Sequence, residues 1–399
     1  MPQVSEKGRA MPPSPIRKLV PFADQAKERG VRVFHLNIGQ PDIPTPDVAL
    51  EALRNCRERV IEYTHSAGNL SLRRKLAGYY RGVGIDVTEK NILVTTGGSE
   101  AINFAFMSTL NPGDEVIIPE PFYANYYSFA TICGVVIKTV TSFIEQGFAL
   151  PPVAEIEKVI TPRTRGIVIV NPNNPTGYLY SREELEQVAE LVRKHDLFLY
   201  ADEVYREFCY DGREHFSTMN LKGLEQNVIL LDSVSKRYSE CGLRVGMLVT
   251  RNEEVLATAL KFGMSRLCSP AIGQLIAEAS IDAPASYFKA VHDEYQERRD
   301  FLVKALNEMP GVVCPKPSGA FYAVVKLPVD DAERFARWLL EDFNYQGETV
   351  MVAPANGFYS TPGFGIDQVR VAYVLKISEL KRAMEVLAKA LECYPGRVL

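Results

Sequence analysis

Val228-Ile229-Leu230-Leu231-Asp232-Ser233-Val234-Ser235-Lys236-Arg237-Tyr238-Ser239-Glu240-Cys241-Gly242-Leu243-Arg244-Val245-Gly246-Met247-Leu248-Val249 is an apolar run, a polar turn and a second apolar run. Each run is too short for a buried helix and reads as a strand covered on both faces. The link from Leu231 to Met247 is too short, and too rich in polar residues and glycine, for a crossover helix. Strands joined this way run antiparallel.

Working outward, similar short runs recur. They are Ile92-Leu93-Val94, Val116-Ile117-Ile118, Val135-Val136-Ile137, Ile167-Val168-Ile169-Val170 and Leu197-Phe198-Leu199-Tyr200. Runs of this kind suit a mostly parallel sheet with helices on both sides. Helical segments fall between several of them. Ser181-Arg182-Glu183-Glu184 is a capping-box signature, and Leu185, Val188, Ala189 and Val192 follow at helical spacing. Ser99 to Leu110 is a second candidate helix. The expected class is α/β, a large domain whose mostly parallel sheet has one antiparallel strand and flanking helices.

The last hundred residues read differently. A long helix is expected over Tyr287 to Met309, then strands near 321–325, 350–352 and 369–374, with helices at 331–342 and 378–391. This is a smaller α+β domain. The division expected is an N-terminal segment, 1–45, packing on the small domain, a large domain over 46–285, and the small domain over 286–399.

Bulk properties exclude several classes. The 399 residues carry a net charge of −4, with no basic tail, so nucleic acid is not an expected partner. No apolar run approaches membrane-spanning length, and Met1 to Lys7 has no signal-peptide core. Seven scattered cysteines without a Cys-x-x-Cys pair, and five scattered histidines, give no metal or disulfide framework. Reduced thiols in the cytoplasm are the simplest expectation.

Functional-looking residues gather where strands end, which is where parallel sheets bind ligands. Lys236 sits in a Ser-rich turn with Arg244 eight positions on; its amine can form a Schiff base with an aldehyde cofactor while Ser233 and Arg244 hold a phosphate. A solvated surface lysine is the bland alternative. Thr95-Thr96-Gly97-Gly98-Ser99 leads a strand into a helix N-terminus and suits a phosphate, or is an ordinary turn. Asn171-Pro172-Asn173-Asn174-Pro175-Thr176-Gly177 is a rigid turn unusually rich in amides. Asp202 ends a buried strand and needs a cationic partner, either a pyridinium nitrogen or a salt bridge, and Tyr205 follows three residues later. Tyr123 could stack on a flat ring or fill core. Arg370, inside an apolar strand, suits a carboxylate or a structural ion pair. No G-x-G-x-x-G or Walker pattern is present, so dinucleotide and ATP sites lack support.

From about Leu36 to the C-terminus these motifs, in this order, resemble the class I/II aminotransferases, fold type I pyridoxal-phosphate enzymes of the aspartate aminotransferase kind. The resemblance implies pyridoxal 5'-phosphate as cofactor, held by Lys236. Asp202 would keep the ring nitrogen protonated, Asn174 and Tyr205 would donate to the phenolic oxygen, and Tyr123 would stack on the ring. Gly98, Ser99, Ser233 and Arg244 would cradle the phosphate. Arg370 would clamp the substrate α-carboxylate, with Gly39 in backbone contact nearby. Tyr63 resembles a tyrosine reaching the phosphate of a partner subunit, which implies a homodimer with shared sites. The implied reaction is ping-pong transfer between L-amino acids and 2-oxo acids, glutamate/2-oxoglutarate as one pair and aspartate or an aromatic amino acid in the other.

Three positions depart from the family pattern. Glu240 replaces an apolar residue, and a carboxylate there is expected to point away from the phosphate. Ser99 stands where one subgroup has a lysine for the distal carboxylate of aspartate. The segment 353–359 differs from the usual Pro-Gly loop and is expected to help select the side chain. A β-lyase or decarboxylase on the same fold is the alternative activity. A cofactor-sensing regulator would need a DNA-binding module, for which the roughly forty residues ahead of Gly39 are expected to leave no room.

Overall fold

The computed structural model describes residues 2–398, so Met1 and Leu399, the ends of the expected outer segments, lie outside the described residues. The strands in chain order are β1 (Arg32–His35), β2 (Ile92–Thr95), β3 (Glu115–Glu120), β4 (Val136–Thr141), β5 (Thr164–Val170), β6 (Phe198–Asp202), β7 (Val228–Ser233) and β8 (Gly246–Thr250). They are followed by β9 (Tyr322–Lys326), β10 (Glu348–Met351), β11 (Ala353–Pro354) and β12 (Gln368–Ala372).

A seven-stranded sheet has the order β2-β8-β7-β6-β5-β3-β4. Strand β8 is antiparallel to both neighbours, β2 and β7, and the other pairs are parallel. The alternation of side chains along each strand divides the apolar runs between two cores. Ile117, Ile167, Ile169, Leu199, Leu230 and Val249 face one side. Val116, Ile118, Val168, Val170, Ile229, Leu231 and Leu248 face the other. Helices cover both, among them Gly98–Thr109 and Arg182–His195. The second begins with the expected box, in which Ser181 Oγ accepts from Glu184 N at 3.2 Å and Glu184 Oε2 accepts from Ser181 N at 2.7 Å.

One strand differs from its expectation of burial on both faces. Strand β4 pairs only with β3, and its residues are exposed or half-buried. It is an edge strand, and Lys138 and the threonines at 139 and 141 suit a rim that is wet on one side.

Toward the C-terminus, β9 is the outer strand of a small antiparallel sheet, β11-β12-β9, and Val313 bridges to its last residue, Lys326. The helices Ala332–Glu341 and Ile377–Cys393 pack on it, and Leu19, Ala23, Phe34 and Leu36 from the N-terminal part complete the same core. Strand β1 pairs in parallel with β10, which fixes that N-terminal part. The helix Ala285–Asn307 joins the two regions: Phe288 packs on the large sheet, while Val291, Tyr295, Leu302 and Leu306 enter the small core.

Candidate active site

The antiparallel course of β8 shapes the site. Gly246, its first residue, pairs with both Thr95 and Ser233, the last residues of β2 and β7. Arg244 therefore reaches the same sheet edge as the Gly97-Gly98 turn and the Ser-rich turn. The approach is close. A Cβ on Gly97 would stand 2.2 Å from the Arg244 guanidinium, and one on Gly246 would stand 2.3 Å from the Gly97 backbone. Gly97 has φ +80 and caps the helix that starts at Gly98. The start of that helix at Gly98 and Ser99, together with Arg244, Ser233 and Ser235, thus lines one cavity of about 1100 Å³. The arrangement could hold a phosphate.

Lys236 enters that cavity from the short helix Val234–Arg237. Its Nζ donates to the Gly39 carbonyl at 2.9 Å, with Cys241 Sγ at 3.8 Å. Gly39 has no room for a side chain, because a Cβ would stand 1.7 Å from the Tyr322 hydroxyl.

The acidic pair after β6 divides its work. Glu203 turns inward to Arg206 at 3.3 Å and accepts from Ser217 and Thr218. Asp202 lines the cavity and receives only a 3.2 Å bond from Tyr126 Oη and a long 3.5 Å one from the Val204 N–H. Burial without a cation pushes its carboxyl up to about 7. This is the profile of a group waiting for a positive ligand.

The asparagine turn also divides. Asn171 Oδ1 accepts from Tyr180 N at 3.0 Å, and Asn173 Oδ1 accepts from Thr176 N at 3.1 Å, so both hold the turn. Asn174 faces the cavity, and its Oδ1 accepts from Arg370 Nη1 at 3.0 Å. That bond leaves the amide N–H₂ free to donate.

Arg370 is buried on β12, and its Nη2 donates to the Asn37 carbonyl at 2.6 Å. Its Nε has no partner, and Tyr322 and Phe358 flank the guanidinium at 4.6 and 5.1 Å. Among the described residues no carboxylate pairs with it, and burial pulls its pKa down. A buried cation so placed could take a carboxylate. Tyr205 Oη lies 2.9 Å from Tyr322 Oη, and burial pushes its phenol up. Tyr123 borders the same space, its Oη accepting from Asn125 Nδ2 at 2.7 Å, with its phenol pushed up to about 12 by burial.

Of the residues expected from the sequence, Tyr63 alone stands apart. It is 78% exposed and does not border the cavity. Glu240 points away as expected, accepting from Ser280 Oγ, and burial pushes it up to about 7. The 353–359 segment was expected to help select a side chain. It instead stands behind Arg370 through Phe358 and borders no part of the cavity among the described residues. Reading the motifs missed Tyr322, Asn37 and Arg17, all of which border the cavity.

The family model for aminotransferase class I and II matches residues 31–387. The chain belongs to the class I and II aminotransferases. Aspartate/prephenate aminotransferase of Thermus thermophilus is 32% identical over 395 residues, 97% of this chain and 98% of that one. Aromatic-amino-acid aminotransferase 2 of Thermococcus litoralis is 30% identical, covering 98% of both. The solved structure of Thermus thermophilus aspartate aminotransferase with maleate superposes with a TM-score of 0.89 at 31% identity, over 98% of this chain and 100% of that one. Like those relatives this aminotransferase has the α/β fold with a mostly parallel central sheet, and it is a transaminase. Members of the family depend on pyridoxal phosphate. No helix among the described residues is long and apolar enough to cross a membrane.

Proposed function

We propose that this aminotransferase binds pyridoxal 5'-phosphate and moves amino groups by a ping-pong route, glutamate/2-oxoglutarate being one pair and aspartate or an aromatic amino acid the other donor. The observation that carries this reading is that Asp202 and Arg370, buried ionisable groups without an ion-pair partner among the described residues, share one cavity with the Lys236 amine. The residues fit the cofactor. The close Gly97–Arg244 approach brings a guanidinium beside a helix N-terminus, which suits a phosphate, and Asp202 is a carboxylate that a protonated ring nitrogen would need.

When bound, pyridoxal phosphate supplies an electron sink for the α-carbon. Lys236 would hold it covalently and, once displaced by substrate, would take the α-proton on Nζ. Asp202 would hold the proton at the ring nitrogen by pairing with it. Asn174 Nδ2 and Tyr205 Oη would donate to the phenolic oxygen, and Tyr123 would cover the ring. Gly98, Ser99, Ser233 and Arg244 would hold the phosphate. Arg370 would orient the α-carboxylate, and the Gly39 carbonyl, now bonded to Lys236, would be freed for the substrate side. Tyr63, exposed on its own protomer, would serve the phosphate of a partner subunit in a homodimer. The three-part division at 45 and 285 remains our reading of the domains.

Borohydride reduction followed by peptide mass mapping tests the attachment. A phosphopyridoxyl mass on Lys236, absent in Lys236→Ala, is expected. Addition of glutamate without an acceptor should release one equivalent of 2-oxoglutarate and stop. Continuous release of ammonia would instead support the lyase alternative and overturn this one.

A further inference from the structure

Charge accounting in the cavity leaves one group unassigned. Among the described residues its charged lining consists of Arg17, Asp202, Lys236, Arg244 and Arg370. On the reading above, Arg244 meets the phosphate, Asp202 the ring nitrogen, Lys236 the covalent link and Arg370 the α-carboxylate. Arg17 is left over. The neighbouring Lys18 pairs with Glu333 at 2.7 Å, but no carboxylate among the described residues pairs with Arg17. The guanidinium lies near enough to bear on the Tyr123 phenol, at the exposed side of the site.

The segment that carries Arg17 is held in fixed relation to Arg370. Asn37 does this with two groups: its carbonyl accepts from Arg370 Nη2 at 2.6 Å, and its Nδ2 donates to the Ile16 carbonyl at 3.3 Å. Ile16 packs against the Phe358 cluster. Pro15 lies where a Cβ on Gly357 would be, 2.4 Å away. One residue thus ties the backbone that carries Arg17 to the Arg370 guanidinium, so the base of the exposed Arg17 side chain is placed by the fold at the mouth of the cavity. Ser99, the position where a subgroup of the family has its lysine for the distal carboxylate, brings no charge here.

We infer that Arg17 is a specificity-determining residue: it takes the side-chain carboxylate of a dicarboxylic amino acid or 2-oxo acid whose α-carboxylate is on Arg370. The inference rests on the proposed role of Arg370. A monocarboxylic substrate would leave Arg17 with water as its only partner, so the site discriminates by charge at the far end of the substrate. The aromatic alternative for the second donor is correspondingly disfavoured.

The test uses holoenzyme with Arg17→Met and Arg17→Lys. Calorimetry gives the Kd of succinate, an inert dicarboxylate, and of butyrate. Single-turnover measurements compare glutamate with norvaline, which has the same chain length and no distal charge. In Arg17→Met, succinate affinity and glutamate kcat/KM should fall roughly ten- to hundredfold, the range of one charge-assisted hydrogen bond. Butyrate and norvaline should stay within about threefold, and Arg17→Lys should restore part of the loss. Equal losses on charged and neutral ligands, or no loss on either, would overturn the inference. So would a wild-type enzyme that prefers norvaline or phenylalanine to glutamate and aspartate, though it would leave the aminotransferase site intact. A holoenzyme that transfers an amino group from none of them would overturn the reading of Arg370, and the inference with it.

Discussion

Asp202→Asn probes the site without the cofactor, through folding stability. The native carboxyl moves from an ordinary 3.8 to about 7 because burial disfavours its charged form. The sign follows from proton binding. Between these values the folded chain holds a proton that the unfolded chain has released, so stability falls as pH rises through the window. The contribution is fully present below 3.8 and lost by the time pH passes about 7. Integrating from about pH 5.5 to about pH 8 gives a loss of roughly 2 kcal/mol from this one group. Asparagine has the same shape and does not titrate. Urea unfolding of apo-protein, wild type and variant, at those two pH values should show a steeper pH loss in wild type by about that amount. Glu240 titrates in the same window but is present in both proteins, so it cancels from the difference. Equal pH dependence in the two proteins would refute the claim that Asp202 is buried without a positive partner.

Arg370→Met removes the cation on β12 and should lower kcat/KM for every amino acid by roughly a hundredfold or more, while apo-protein stability holds or rises because an unpaired buried charge is gone; steady-state kinetics and thermal melts read both. Gly97→Ala puts a Cβ against the Arg244 guanidinium at a residue with φ +80, so a stability loss of about 1–2 kcal/mol and weaker cofactor binding are expected from melts and cofactor titration. Glu240→Gln should stabilise the protein above pH 7 by roughly 1–3 kcal/mol and have little effect at about pH 5, since the glutamate's pKa is raised by burial and its stability contribution is lost as pH climbs to about 7.

The sheet was legible because β2, β5, β6, β7 and β8 are short apolar runs closed by polar turns, and the turn length between Leu231 and Met247 dictates direction. Edge position was not legible. Val135-Val136-Ile137 looks like the other runs, and only the absence of a second neighbour makes β4 half-exposed. Strand β1 was missed for a related reason. Arg32-Val33-Phe34-His35 is short and mixed, and it becomes a strand by pairing with β10 more than 300 residues away. In the site, residues carried by compact motifs were readable, because strand ends and turns place them locally. Asn37, Tyr322 and Arg17 come from separate segments joined only by tertiary contact. Asn171 and Asn173 could not be told from Asn174 by type, since all three amides occupy one turn and only the hydrogen-bond partners separate them.

The fold buries two groups of opposite charge that it does not let meet. Asp202 at the end of β6 and Arg370 on β12 are each buried, and joining them would satisfy both. Instead Asn174 takes one Arg370 hydrogen bond through its neutral oxygen, and Tyr126 gives Asp202 its hydroxyl. Neutral partners satisfy some polar atoms while leaving the net charges exposed to whatever enters. A salt bridge between the two would have to be broken at each binding event, at a cost of several kcal/mol. Held apart, the two groups would, on the proposed function, act at once on separate parts of an incoming molecule, Asp202 on a cation and Arg370 on a carboxylate. That requirement also explains why they come from different sheets. Two charges on adjacent strands of one sheet would lie close enough to pair, whereas β6 and β12 belong to separate sheets whose relation is fixed by the cores beneath them.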